Sequence, residues 1–214
     1  MGVIGVIVLF SYVLYQFIQN KKYETVGYLV FALILVGLTA RTIVRNLDWR
    51  TMDHLSIATA RTSPSDPKTH NNMGDVYAKR GDFQKAAESF ALATQLNPRY
   101  ADAYHNLANT YKDMGKFDLA IQNYNKALEI NPDIWQTYQG LGVVYYLQKD
   151  MPKALEYMEK AKSMYPIDSG LRTNLGIMYL EVGKKDLARQ EFTEALKLNP
   201  NNQKAALGIQ EVNK

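Results

Sequence analysis

The chain has 214 residues, 47% of them hydrophobic, with no cysteine and a formal charge of +4. The lack of cysteine excludes disulfides, cysteine-ligated zinc and thiol catalysis. The charge is local: in residues 1–45 Glu24 stands alone against Lys21, Lys22, Arg41 and Arg45, leaving 21 basic and 20 acidic groups for the rest. That near balance argues against a nucleic-acid partner, which needs a clustered basic face.

Residues 2–18 (GVIGVIVLFSYVLYQFI) and 26–40 carry no charge and are separated by a short polar turn. With their polar flanks, each approaches the roughly 20 residues of a spanning helix. The pattern predicts a transmembrane helical hairpin over residues 1–45, with helices at about 2–19 and 25–44, two spans in all, and Tyr23 and Tyr28 suited to the headgroup zone. A signal peptide fits poorly, because a basic lead and a small-residue cleavage site are missing and a second apolar segment follows at once. Lys21 and Lys22 on one side against Arg41, Arg45 and Arg50 on the other set no orientation. Met1 stands directly against the apolar stretch, as though the chain begins inside a larger membrane region.

Pro64, Pro98, Pro132, Pro166 and Pro200 follow at a step of 34 residues. At that step the chain divides into four units, 67–100, 101–134, 135–168 and 169–202, each read as two helices. A small residue in the first helix (Gly74, Ala108, Gly142, Gly176) recurs with an alanine twelve positions on (Ala86, Ala120, Ala154, Ala188), so the two helices approach closely. Tyr77, Tyr111, Tyr145 and Tyr179, with Phe90, Tyr124, Met158 and Phe192, fill the seam. Gly81, Gly115 and Gly183 fall where the first helix ends in a left-handed residue, and Lys149 replaces glycine in the third unit at a small cost.

The phase extends backwards, since Asp48-Trp49 falls one period before Asp82-Phe83. Residues 46–66 therefore read as a half-repeat capping helix, joined to the second membrane helix without a flexible linker, and Trp49 as a core residue. Residues 203–214 read as a C-terminal capping helix covering the last apolar face. The fold class expected is all-α: a transmembrane hairpin followed by an α-solenoid of four full repeats.

The period and its tyrosine, alanine and proline pattern resemble the tetratricopeptide repeat. The resemblance implies paired antiparallel helices stacked into a right-handed superhelix with a concave groove lined by the first helices. In that phase the candidate partner-binding residues are Asn71, Asn72, Asp75, His105, Asn106, Asn109, Tyr146, Asn174 and Ile177. Asn72, Asn106 and Asn174 share one phase, broken by Gly140. Such a ladder can pair with a peptide backbone of any sequence, or it can bond neighbouring repeats. Tyr146 with Leu147, Ile177 and Leu180 reads either as a pocket for a partner segment or as packing between repeats.

The run Tyr104-His105-Asn106-Leu107-Ala108-Asn109 is similar to the substrate-reading repeats of protein O-GlcNAc transferases. The junction from Ala40 to Trp49 (ARTIVRNLDW) resembles that of membrane-embedded protein O-mannosyltransferases that end in such repeats. This second resemblance implies the C-terminal piece of a multi-pass enzyme using a lipid-linked sugar, with the repeats outside the cytoplasm. That family's acidic catalytic residues lie near the start of its membrane domain, and none carries over here.

His54, His70 and His105 fall on different units and read as solvated; no catalytic set, metal site or cofactor is expected. The chain is expected to bind a peptide or protein and to lack activity of its own. A stand-alone membrane scaffold is the alternative.

Overall fold

The computed structural model describes residues 15, 24–48, 56–57, 59 and 62–213. The chain divides into two compact units, Met1–Ala58 and Thr59–Lys214. The boundary between them falls inside the segment 46–66.

In the first unit, α1 spans Glu24–Asp48. Its stretch Thr25–Ile43 has a mean hydropathy of 2.0 and is 6% buried. Thr39 and Thr42 turn their hydroxyls onto the carbonyls of Leu35 and Leu38 at 2.7 and 2.8 Å, so these groups are satisfied without water. Among the described residues this is the one helix long and apolar enough to cross a membrane. The other half of the expected hairpin, residues 2–19, lies outside the described residues except for Tyr15, and so does Trp49. The helix continues unbroken through position 45, where the sequence reading ends the membrane segment.

The second unit is an array of helices. Among the described residues nine follow in order: α2 (Pro67–Lys79), α3 (Phe83–Leu96), α4 (Ala101–Asp113), α5 (Phe117–Ile130), α6 (Trp135–Leu147), α7 (Met151–Met164), α8 (Ser169–Glu181), α9 (Lys185–Leu198) and α10 (Gln203–Val212). No strand occurs among the described residues. The helices pair as α2–α3, α4–α5, α6–α7 and α8–α9, and each second helix packs on the first helix of the next pair, with α10 closing the end on α9.

Close pairing depends on small residues. Ala86, Ala120, Ala154 and Ala188 are fully buried, as are Ala93, Ala127, Ala161 and Ala195 seven positions on. Between them sit Phe90, Tyr124, Met158 and Phe192, at most 2% exposed, each contributing about 2 kcal/mol by burial. A Cβ added to Gly140 would meet the Tyr124 ring at 2.5 Å, and one at Gly142 would stand 3.1 Å from the Ala154 carbonyl oxygen. The first of these contacts explains why the asparagine phase is interrupted at Gly140. Trp135 stacks on Tyr165 at 4.7 Å, covering a neighbouring helix as its position suggests.

The turn inside each pair has one geometry. At the end of α2, Gly81 N–H donates to the Ala78 carbonyl and Asp82 N–H to the Tyr77 carbonyl, at 3.0 and 2.9 Å. This double closure requires a left-handed residue between them. Gly81, Gly115 and Gly183 supply it with φ of 78°, 72° and 75°, and Lys149 is forced to 66°. After the turn, Asp82 and Asp150 cap α3 and α7 with their carboxylates, whereas Lys116 and Lys184 at the same place give α5 and α9 no side-chain cap.

A side chain held left-handed costs about 1 kcal/mol relative to glycine. Lys149→Gly is therefore expected to stabilise the array by about that amount in urea unfolding followed by circular dichroism; an unchanged or lower midpoint would contradict the strain assigned here.

Candidate binding groove

The first helices approach one another along the array (α2 with α4, α4 with α6, α8 with α10), and the second helices do not do so comparably. The array is thus more tightly packed on the side of the first helices, and that side forms its inner face. The helix surface there alternates between residues given to inter-repeat bonds and residues left open.

Four of the candidate residues bond to one another. Asn106 Nδ2 donates to Asn71 Oδ1 at 3.0 Å, tying α4 to α2, and Asn71 is only 7% exposed. Asn109 Nδ2 meets His105 Nε2 at 2.9 Å, and Tyr124 donates its hydroxyl to Asn109 Oδ1 at 2.6 Å. His105 Nδ1 lies 2.9 Å from Thr137 Oγ1 on α6. Because the Asn109 amide nitrogen is a donor, Nε2 accepts and Nδ1–H donates to Thr137, so the neutral ring completes the chain of bonds. Burial holds His105 down to about 4, against the nearby Asp102, which raises it, and with Lys112, which lowers it further. Burial also pushes the Tyr124 phenol up.

The reading of the histidines as solvated is corrected by this arrangement. His105 is enclosed between α4, α5 and α6, and His70 is 5% exposed with Nε2 on the Pro64 carbonyl at 2.9 Å. Thr137 of the next unit meets His105, and the segment that leads into α2 meets His70 through Pro64. His54 lies outside the described residues.

The remaining candidates are more open. Asn72 is exposed, and among the described residues neither it nor the half-buried Asn174 makes a side-chain hydrogen bond. Asp75 is half-buried, and burial raises its carboxyl while Lys79 lowers it. Tyr146 donates to the Glu181 carboxylate, linking α6 to α8 and raising the phenol. Ile177 packs with Leu180 around Phe192, whereas Tyr146 packs around Met158 and Leu175. The structure therefore joins Asn71 to Asn106 and His105 to Asn109, but not Tyr146 to Ile177.

Tyr124 and Thr137 belong to the polar chain and are absent from the sequence candidates. The signal for Tyr124 is its hydroxyl at a position where the other units carry Phe90, Met158 and Phe192. Among the described residues no group of acidic or histidine side chains is arranged to hold a metal ion. The buried carboxylate of Glu191 is fully engaged, taking Lys162 at 3.0 Å and Arg172 at 2.9 Å.

Family models described as tetratricopeptide repeat match residues 101–134, 136–168 and 171–202, and one described as TPR repeat matches 74–115. Together these matches cover more than half of the chain. The chain is a tetratricopeptide-repeat protein. It is 30% identical over 83 residues to Protein O-mannosyl-transferase Tmtc2 of Drosophila melanogaster, a match spanning 39% of this chain and 9% of that protein. Among solved structures, MamA is similar at 26% identity with a TM-score of 0.61, covering 70% of this chain and 87% of its own. The pilF protein of Pseudomonas aeruginosa is similar at 27% identity and 0.64, covering 68% and 67%. Tetratricopeptide repeats build protein-interaction scaffolds, and the array is one.

Protonating His105 would set a donor against the Asn109 amide. An unfolded histidine near 6.5 and a folded one near 4 mean that the unfolded chain binds the extra proton between those values. Stability is then complete above about pH 6.5 and falls as pH drops towards 4, by on the order of 3 kcal/mol. Urea unfolding across this window is expected to show a steeper acid loss for the parent than for His105→Gln; equal slopes would remove the assignment.

Proposed function

We propose that this chain is a membrane-anchored interaction module that captures a peptide or protein segment along the first-helix face of its repeats. The observation that carries this reading is the join, within one chain, of a tetratricopeptide array to an apolar helix that is long enough to span a bilayer and almost wholly exposed. On the groove, Asn72 and Asn174 keep free amide groups, each offering a donor and an acceptor to an extended backbone. Asn71, His105, Asn106 and Asn109 hold the repeats that present them. Asp75 edges the polar half, and Tyr146 and Ile177 edge the apolar half.

The likeness to the Drosophila mannosyltransferase, taken with the Ala40–Trp49 junction, supports a finer reading. In it the chain is the substrate-recruiting part of a multi-pass glycosyltransferase, with two spans in this segment and the repeats outside the cytoplasm. Catalysis would belong to other parts of that enzyme. Sequence upstream of Met1 tests this: further in-frame apolar spans with an acidic loop support it, and an in-frame stop leaves the stand-alone scaffold.

The double variant Asn72→Ala/Asn174→Ala is expected to weaken peptide binding roughly thirty-fold, at about 1 kcal/mol per lost bond, with an unchanged thermal midpoint. Asn106→Ala is expected instead to lower the midpoint, because it leaves the buried Asn71 unpaired. Fluorescence anisotropy on peptides selected from an array reads the first and calorimetry the second. Undiminished peptide affinity in the double variant would refute the groove reading.

A further inference from the structure

Lysines gather on one edge of the array, where the turns join the first to the second helix of each pair. Lys79, Lys116, Lys149, Lys184 and Lys185 are all exposed there and form no ion pair among the described residues. The carboxylates of that edge are mostly engaged: Asp82 with Lys85 at 2.6 Å, Asp113 with Lys112 at 3.3 Å, Asp150 with Lys153 at 3.1 Å and Asp186 with Arg189 at 3.3 Å. Asp118 is left. The turns of the opposite edge, residues 97–100, 131–134, 165–168 and 199–202, hold only Arg99, Asp133 and Asp168.

Four of these lysines stand where the fold would do better with another residue. Lys149 occupies a left-handed position that is glycine in the other three turns. Lys116 and Lys184 hold helix caps that are Asp82 and Asp150 in the alternate units, and neither supplies a capping bond. Lys185 opens α9. The last three put positive charge at a helix N-terminus, against the helix dipole. Helix capping and backbone geometry do not explain a repeated choice of lysine on one edge, and local sequence that departs from the demands of its fold is expected at functional surfaces.

We propose that this edge is a docking surface for the anionic headgroups of a lipid bilayer. The inference rests on the membrane-anchored reading, since α1 gives the chain a bilayer to meet, and on repeats that face the anionic cytoplasmic leaflet, the side opposite to that of the glycosyltransferase reading. A row of ammonium groups that lack a carboxylate partner, with Lys149 over the Tyr146 ring at 5.8 Å and Lys184 over the Tyr179 ring at 5.9 Å, fits a flat, laterally mobile anionic surface, which needs charge without fixed registry.

The chain has no cysteine, so a single dye can be placed at Gln148→Cys on this edge or at Asn201→Cys on the opposite one. The full chain is reconstituted in nanodiscs of phosphatidylcholine with or without phosphatidylserine, carrying a headgroup quencher. Quenching at position 148 is expected only with the anionic lipid, to be lost in about 0.5 M salt, and to be absent at position 201. The triple variant Lys116→Asp/Lys149→Gly/Lys184→Asp is expected to weaken the contact on the order of 100-fold while raising the thermal midpoint. Arg99→Asp should change neither. Equal quenching at both positions, no dependence on phosphatidylserine, or full quenching in the triple variant overturns the proposal. So does binding of RNA or an acidic protein to the edge without any lipid effect. A chain that does not enter the discs removes the anchor and this inference with it, whereas entry without lipid-dependent quenching removes the inference alone.

Discussion

Each helical pair in this array has one apolar face that it cannot cover itself, and only the next pair covers it. Stacking requires helices to come close enough for their side chains to interlock, and the buried alanines set that distance. Ala86, Ala120, Ala154 and Ala188 are all fully buried, and a larger residue at any of them would push a second helix off its partner. The large residues between them then find room against small ones: Phe90 against Gly74, Tyr124 against Gly140, Phe192 against Gly176 and Gly208. α10 ends the series by covering the last face.

From that spacing follows the separation of surfaces. The first helices meet along the inner face, and their groove residues divide between holding the stack together and facing outward. Asn71 with Asn106, and Thr137 with His105, Asn109 and Tyr124, hold it. Asn72 and Asn174 are left for a partner. The turns lie at the ends of the pairs, where their residues answer to local backbone geometry and to whatever lies outside. Lysine at a left-handed position or at a helix cap is tolerated there because the energetic penalty is local and the stack does not depend on it.

Much of the fold is legible in the sequence for a physical reason. A left-handed turn closure involves six consecutive residues, so glycine at Gly81, Gly115 and Gly183 reports it directly, and the period even identifies Lys149 as the strained substitute. The alanine seam is legible because it repeats at helical spacing. The candidate site is less so. Asn106 shares a phase with Asn72, yet its partner is Asn71, because the twist between units rotates one first helix against the next. Ile177 and Tyr146 lie near one another in phase but serve different clusters. His70 and His105 look like surface residues when each helix is read alone; His105 meets Thr137 of the next unit, and His70 is buried with its ring on the Pro64 carbonyl.

The sequence by itself determined the period, the helix pairs, the turns and the apolar stretch of α1, because each depends on short-range backbone geometry or on composition along the chain. The tertiary structure decided which polar groups of the groove bond to a neighbouring repeat and which stay open, which histidine is held neutral, and which lysines share one edge. Those outcomes depend on the rotation between successive pairs, a quantity set by side chains meeting across distances of about one repeat and carried by no single residue.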